Sequence, residues 1–136
     1  IANSFYVIFL CYICVLIGRF LFESSRISVD MILASICLYL LIGLIWAFIY
    51  QLIETSDPGA FRFLTIDAIQ MEAVRYMRGQ FAYYSYVTLS TLGYGDITPI
   101  SRVARSRAVL ETLTGQFYLA VVIARLVGLY ITQQTK

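Results

Sequence analysis

Residues 88–96 read TLSTLGYGD and follow a short segment rich in aromatic and hydroxyl side chains. Gly93 and Gly95 alternate with larger residues, and this spacing ends any helix that precedes them. In an ordinary extended strand successive carbonyls point to opposite sides, whereas glycine adopts positive φ without steric cost. The alternating glycines therefore mark two positions at which the backbone is free to adopt positive φ.

The segment immediately before this loop, residues 80–90, is apolar but short. A helix that crosses a bilayer needs about 20 mostly apolar residues, so this segment is too short to span one. It is also too apolar for an ordinary surface loop. This combination is typical of a re-entrant half-helix, whose backbone lies at membrane depth without crossing the bilayer.

Three longer segments are apolar enough to span a membrane, at about residues 4–22, 29–53 and 104–132. Ser28 is a predicted N-cap for the second helix, and Asp30 lies in its first turn, where a negative charge suits the helix dipole. An Asp-Pro-Gly run after the second segment prevents its continuation. The chain is therefore predicted to contain three transmembrane helices.

The composition is that of a membrane protein. Hydrophobic residues make up 60% of the chain, charged residues only 13%, and the mean hydropathy is +0.80. A soluble domain of this size needs a more polar surface. The formal charge of +2 is too small to indicate a nucleic-acid partner. The chain contains no His, the commonest general base, so the sequence does not predict an enzyme.

Two other functions of glycine-rich loops do not fit this sequence. The Gly-Tyr-Gly-Asp run lacks the third glycine of a dinucleotide-binding fingerprint, and no βαβ pattern surrounds it. A phosphate-binding loop requires Gly-Lys followed by Ser or Thr, which this sequence does not contain.

The TLGYGD stretch closely resembles the selectivity-filter signature of the potassium-channel pore-domain family, in its small bacterial form. The resemblance covers about residues 29–136. Tyr83 and Tyr84 match the aromatic pair of that family's pore helix, and Gly115 lies at the position of the hinge glycine in its inner helix. The resemblance implies an all-α membrane protein. A single chain carries only one filter segment, so a C4 homotetramer around one ion path is expected.

The resemblance also divides the chain into two parts. Residues 1–28 would form an N-terminal transmembrane helix and its connection, and residues 29–136 the pore domain. Within the pore domain it implies an outer helix, an outer loop, a re-entrant pore helix, the filter and an inner helix, at 29–53, 54–79, 80–90, 91–96 and 104–132 respectively. The N-terminal helix has no counterpart in the simplest two-span members of the family.

Site residues follow from the same resemblance. Oxygen atoms of four filter residues are expected to coordinate K⁺, namely Thr91, Leu92, Gly93 and Tyr94. The ring of Tyr94 is expected to wedge against the pore helix. Filter support is expected from Gly95, Asp96, Tyr83, Tyr84 and Thr88. Gly115 is the expected hinge, and steps of four residues from it predict a cavity and inner gate lined by Leu119, Ile123 and Val127.

Asp96 at the end of the filter needs a hydrogen-bond donor. In some family members a pore-helix Glu at the place of Val87 fills this role, and a valine cannot do so. The hydroxyl of Tyr83 is therefore the expected donor in this chain.

Glu111 is an ionisable residue inside the third apolar segment, which makes it a candidate functional group. A buried carboxylate is costly unless it is paired. One hypothesis is that Glu111 supports the pore helix, and through it the filter, from behind, by way of Ser90, Thr88 or backbone groups of the loop. The alternative is that it pairs with Arg107 one turn earlier in the same helix.

The predicted function is passive, K⁺-selective conduction, with K⁺ as the permeant ion and no other cofactor. The predicted location is the plasma (inner) membrane, with the chain embedded in the lipid bilayer as a multi-pass protein and the filter facing the extracellular side. The open alternative is a poorly selective monovalent cation channel of the same architecture, although such relatives replace the filter Tyr and this chain keeps Tyr94. A regulatory domain outside these residues also remains open. No arginine-rich, voltage-sensing helix is evident in the sequence.

Overall fold

The computed structural model describes residues 2–23, 27–64 and 74–134, with side chains excepted at 2–4 and 74–78. These residues form four helices and two short strands. In chain order these are α1 (Ala2–Glu23), α2 (Val29–Ser56), β1 (Phe61–Phe63), α3 (Val74–Leu89), β2 (Ile97–Pro99) and α4 (Arg102–Gln134). The middle of the predicted outer loop, at 65–73, lies outside the described residues.

Three of these helices are long and apolar enough to cross a membrane. The spans are Phe5–Glu23, Val29–Ser56 and Arg102–Gln134 within the described residues. The prediction of an all-α membrane protein with three such helices is therefore confirmed.

Helix α2 begins where the sequence indicates. The Ser28 side chain accepts a hydrogen bond from the backbone N–H of Met31 at 3.2 Å, which satisfies a donor that the first turn leaves unpaired. The helix continues to Ser56 and is capped at Asp57, whose N–H donates to the carbonyl of Ile53 at 2.8 Å. It is thus three residues longer than the predicted segment, which ended at Ile53.

Helices α3 and α4 also differ in length from their predicted segments. Helix α3 begins at Val74, whereas the apolar pattern places its start at residue 80. Its first turns carry charged residues, which a search for apolar patterns assigns to a loop. Helix α4 runs from Arg102 to Gln134, two residues beyond each predicted end.

Strands β1 and β2 pair in an antiparallel ladder that the sequence analysis did not predict. Phe61 lies opposite Pro99, and Phe63 lies opposite Ile97. The N–H of Leu64 extends the ladder by donating to the carbonyl of Asp96 at 2.9 Å. The ladder joins the segment after α2 to the segment that immediately follows TLGYGD.

An aromatic cluster packs beneath this ladder. The rings of Tyr50, Phe61, Phe81 and Tyr84 meet edge to face, with centroids 5.0 to 5.4 Å apart. Such contacts contribute about 0.5–1.5 kcal/mol per pair beyond the burial of their surface. The cluster fixes α2, α3 and β1 relative to one another.

A second apolar cluster joins α1, the first half of α2 and the second half of α4. Its buried members are Leu21, Met31, Leu38 and Val122. The two clusters together place α3 between α2 and the first part of α4, and α1 beside the second part of α4.

Candidate functional site

The loop that follows α3 has positive φ at every second residue. The φ angles are 62° at Thr91, 58° at Gly93 and 77° at Gly95. The glycines adopt this region without steric cost, as predicted. A positive φ at Thr91 costs conformational free energy, because the left-handed region crowds a Cβ against the backbone. No sequence pattern indicates this third position, since threonine is uncommon in the left-handed region.

The last turn of α3 holds the beginning of this loop. The carbonyl of Val87 accepts hydrogen bonds from the N–H groups of Leu92 at 2.9 Å and Gly93 at 3.3 Å. The N–H of Thr91 donates to the carbonyl of Thr88 at 3.0 Å. These bonds give donors to carbonyls that the end of a helix otherwise leaves unpaired. They therefore fix the start of the loop relative to α3.

Asp96 ends the loop and links it to the ladder. Its carboxylate accepts a hydrogen bond from the N–H of Ile97 at 3.1 Å. The nearby Asp96 side chain, with smaller contributions from desolvation and from the charge of Tyr94, raises the pKa of the Tyr83 phenol on α3. The expected hydrogen bond from Tyr83 to Asp96 and its role in supporting a filter stay predictions.

The large side chains of the loop do not pack within their own chain. Leu92 is 55% exposed and Tyr94 is 66% exposed. The expected wedge of the Tyr94 ring against α3 is therefore not formed inside one chain. Tyr84, in contrast, is buried in the aromatic cluster and hydrogen-bonds the side chain of Thr88.

Glu111 lies fully buried at the point where α2, α3 and α4 meet. Its Oε2 accepts a hydrogen bond from the hydroxyl of Tyr50 on α2, and its Oε1 lies 2.5 Å from Oγ of Ser85 on α3. The same Ser85 hydroxyl lies 2.7 Å from the carbonyl of Gly43 on α2. We call these groups the three-helix network. It has no buried side-chain polar atom without a partner.

The partners expected for Glu111 were wrong. The Ser90 hydroxyl donates to the carbonyl of Tyr86 at 2.6 Å instead. Arg107 is exposed, and among the described residues no ion pair joins it to Glu111. Glu111 points toward α2 and α3, so its helical neighbour one turn earlier does not meet it. No sequence pattern points to Ser85 or Tyr50 as partners of Glu111, because both lie in other helices.

Gly115 is a point of close packing between α4 and α3. A Cβ at this position would overlap the carbonyl oxygen of Leu89, the last residue of α3. Gly43 on α2 has a similar role, because a Cβ there would overlap the ring of Tyr86. The structure thus explains both glycines by contact with α3, while the expected hinge at Gly115 stays a prediction.

The residues expected to line a cavity are exposed in the single chain. Leu119 is 41%, Ile123 58% and Val127 51% exposed. They do not share a face with the buried Glu111 and Gly115. A step of four residues overshoots a helical turn of 3.6 residues by about 40°, so a series of such steps moves gradually around the helix.

Comparison with known proteins identifies the family. The sequence model of a family described as "Ion channel" matches residues 35–132, which covers α3, the loop, β2 and most of α2 and α4. The chain therefore belongs to this ion-channel family, that of the two-span potassium-channel pore.

One curated protein is similar to most of this chain. Protein LctB of Bacillus caldotenax is 30% identical over 104 residues, which cover 76% of this chain and 75% of LctB. No solved structure matches the chain significantly.

Proposed function

We propose that this protein is one subunit of a K⁺-selective channel and that residues 91–96 form its selectivity filter. The observation that carries the proposal is the positive φ at Thr91, Gly93 and Gly95. Residues with positive and negative φ alternate along such a segment, which turns successive carbonyls to one side. The poorly selective cation channel is the competing proposal, and the Tyr94 in this filter favours K⁺.

The carbonyl row explains selectivity in the way generally described for potassium-channel filters. The carbonyls of Thr91, Leu92, Gly93 and Tyr94, with the Thr91 hydroxyl at the inner mouth, replace the water shell of the ion. The number and strength of these dipoles match K⁺ better than Na⁺. Because each ion is held by several weak ligands in successive sites, it also leaves quickly.

The length of α3 supports a re-entrant placement. The helix has 16 residues, and at 1.5 Å per residue it is about 24 Å long, shorter than the apolar thickness of about 30 Å. Its C-terminal end leads directly into the loop. The partial negative charge of that end favours a cation nearby.

A tetramer explains why the loop and one side of α4 are exposed and apolar. Leu92 and Tyr94 are exposed on the loop, as are Phe117, Ile123 and Val127 on α4. Each chain supplies one filter strand, so a closed ring of chains is needed to surround an ion. In the ring, Tyr94 would pack against a neighbouring chain, and Leu119, Ile123 and Val127 would face the central cavity or a neighbour.

The three-helix network has a supporting role in this proposal. Ser85 and the filter are both carried by α3, and Glu111 fixes Ser85 from behind. A filter that selects by the position of its carbonyls needs its supporting helix held in place. Glu111, Tyr50 and Ser85 are therefore positioning residues and do not contact the ion.

The decisive experiment measures ion selectivity of the purified full chain in planar bilayers. With K⁺ on one side and Na⁺ on the other, the reversal potential should lie close to the K⁺ equilibrium potential. A reversal potential near zero would instead establish the poorly selective channel. Gly95→Ala should abolish selectivity or conduction, because φ at this position is 77°. Gly18→Ala is the matched control, since a Cβ there meets nothing within 4 Å.

Assembly is tested separately by cross-linking in the membrane. A cross-linker that joins carboxylates rather than lysines, added at increasing concentration, should produce bands up to the tetramer. A ladder that ends at the dimer would contradict the proposed ring.

The orientation, with the filter outside, is tested by labelling a cysteine introduced at Ile100 in intact cells with a membrane-impermeant reagent.

A further inference from the structure

Gly115 separates two parts of α4 that have different neighbours. Before it, Glu111 contacts α2 and α3, and the Thr112 hydroxyl lies 3.5 Å from an α3 carbonyl. After it, the Tyr118 hydroxyl donates to the carbonyl of Ser35 on α2 at 2.5 Å, and Val122 packs with α1 and α2. The second part of α4 is thus held by α1 and by the first half of α2.

Arg125 makes the polar contact between this second part and α1. Its Nε donates to the carbonyl of Leu21 at 3.1 Å, and its Nη2 donates to the carbonyl of Phe22 at 2.5 Å. The guanidinium carbon also lies 5.2 Å from the centroid of the Phe22 ring, within the range of a cation–π contact.

These two carbonyls belong to the last turn of α1, where a helix has no donors of its own. The final four carbonyls of any helix lack an intrahelical partner and carry partial negative charge. The last turn of α1 contains no basic residue. Within a membrane such carbonyls are costly to leave unsatisfied. Arg125 therefore caps α1 from a different helix, with both hydrogen bonds and charge.

We propose that this contact, here named the Arg125 clasp, couples α1 to the gating movement of the second part of α4. The inference rests on the proposed channel function. Any conformation in which this part moves away from α1 loses both hydrogen bonds and the ring contact. An apolar pocket of ≈ 410 Å³ lies beside the clasp, lined by Phe22, Leu38 and Val121 among others. The clasp thus joins the Tyr118–Ser35 hydrogen bond and the packing of Val122 in holding the second part of α4.

The clasp gives α1 a function that a two-span pore does not require. Helix α1 lies outside the matched family region, which begins at residue 35. Through Arg125, a change in the position of α1 acts on α4 beyond Gly115, where the exposed Leu119 and Ile123 are located. The clasp is a positioning device and does not contact the permeant ion.

The test is a double-mutant cycle on the open probability of the full chain in planar bilayers. Arg125→Leu removes the donors and the charge, and Phe22→Leu removes only the ring. Arg125→Leu should change the open probability by about fivefold or more, the lower end of ordinary coupling between sites. Phe22→Leu should change it less, and should have no further effect when combined with Arg125→Leu. Arg125→Lys keeps the charge at the helix end and should remain closer to wild type.

Arg19→Leu provides the matched control, because Arg19 lies on α1, the helix that Arg125 contacts, but pairs with exposed Glu23 at 3.4 Å. The clasp is refuted if tetrameric Arg125→Leu has the wild-type open probability, or if its effect and that of Phe22→Leu are additive. If Arg125→Leu does not assemble, an unchanged open probability in Phe22→Leu refutes the clasp and a changed one supports it. A wild-type protein that conducts no ions at all would instead refute the proposed channel function.

Discussion

Ser85 on α3 and Glu111 on α4 are both fully buried, and Oγ of Ser85 lies 2.5 Å from Oε1 of Glu111. This contact fixes the helix that carries the TLGYGD loop to the helix that follows it. The Tyr50 hydroxyl donates a hydrogen bond to the second carboxyl oxygen of Glu111, so the network reaches α2 as well.

Replacing Glu111 should weaken the assembly in a graded manner. Glu111→Ala leaves the Tyr50 hydroxyl without its acceptor, at about 1–3 kcal/mol for a buried unsatisfied group, whereas the Ser85 hydroxyl keeps the carbonyl of Gly43 at 2.7 Å. Glu111→Gln keeps the shape and one acceptor oxygen, so its loss should be smaller. The measurement is the temperature at which purified tetramer dissociates, together with the rate at which current decays during sustained opening. If Glu111→Ala has the wild-type dissociation temperature and the wild-type rate of current decay, Glu111 does not support the filter helix.

Removing either partner should reproduce part of this effect. Tyr50→Phe and Ser85→Ala each leave one carboxyl oxygen without its donor, so each should destabilise the tetramer by about 1–3 kcal/mol. In the Glu111→Ala background each substitution should lower tetramer stability by less than it does alone, since the shared acceptor is gone. Thr114→Ala is a suitable control on α4, because its hydroxyl bonds only to its own helix at Leu110, 2.7 Å away.

Gly115→Ala should be harmful through packing. The added Cβ would overlap the carbonyl of Leu89 at the end of α3, and a backbone atom cannot move aside cheaply. Overpacking of this kind costs about 1–3 kcal/mol. The same substitution at Gly128 in the same helix meets nothing within 4 Å. Gly128→Ala should therefore be neutral in tetramer stability and in current, and equal effects of both substitutions would show that α4 does not pack as described.

Gly43→Ala should act through one identifiable side chain. The new Cβ would overlap the ring of Tyr86, whose hydroxyl donates to the carbonyl of Leu40 at 2.9 Å. The ring must shift, which separates α2 from α3 and weakens the hydrogen bond. Shortening the neighbour in the double variant Gly43→Ala/Tyr86→Leu should restore part of the lost tetramer stability. If the single variant is already as stable as wild type, the close approach of α2 and α3 is wrong.

The sequence predicted the elements whose signals are local. Apolar length located α1, α2 and α4, Ser28 located the start of α2, and the alternating glycines located the loop. Each of these signals lies within a few residues of the feature that it predicts, so no tertiary contact is needed to recognise it.

The sequence did not predict contacts between distant segments. Glu111 is 26 positions from Ser85 and 61 from Tyr50, and nothing in either neighbourhood marks the pairing. The β1–β2 ladder was missed for the same reason, because its strands are short and are separated by α3. Thr91 shows a different limit, since its positive φ follows from the hydrogen bonds around the loop and opposes the preference of the residue itself.

The last prediction concerns Glu54, which the sequence analysis placed in a loop. It lies in the final turns of α2, is largely buried, and accepts hydrogen bonds from the N–H groups of Gly59 at 2.8 Å and Phe61 at 3.2 Å. These bonds fold the chain back after α2 and set the start of β1. Since β1 pairs with β2, and Leu64 binds Asp96, Glu54 positions the segment at the far end of the TLGYGD loop.

Glu54→Ala should therefore loosen this end of the loop while leaving α3 in place. The buried N–H of Phe61 loses its acceptor, at about 1–3 kcal/mol, and the part-buried N–H of Gly59 loses its acceptor at a smaller cost. We expect faster decay of current during sustained opening, with little change in the open probability at its start. Glu54→Gln retains one acceptor oxygen and should lie between Ala and wild type. Glu23→Ala is the control, because Glu23 pairs only at the surface in the described structure, where an ion pair contributes about 0–1 kcal/mol. Current decay that is unchanged in Glu54→Ala, in a protein that remains tetrameric, would show that the ladder does not hold the loop.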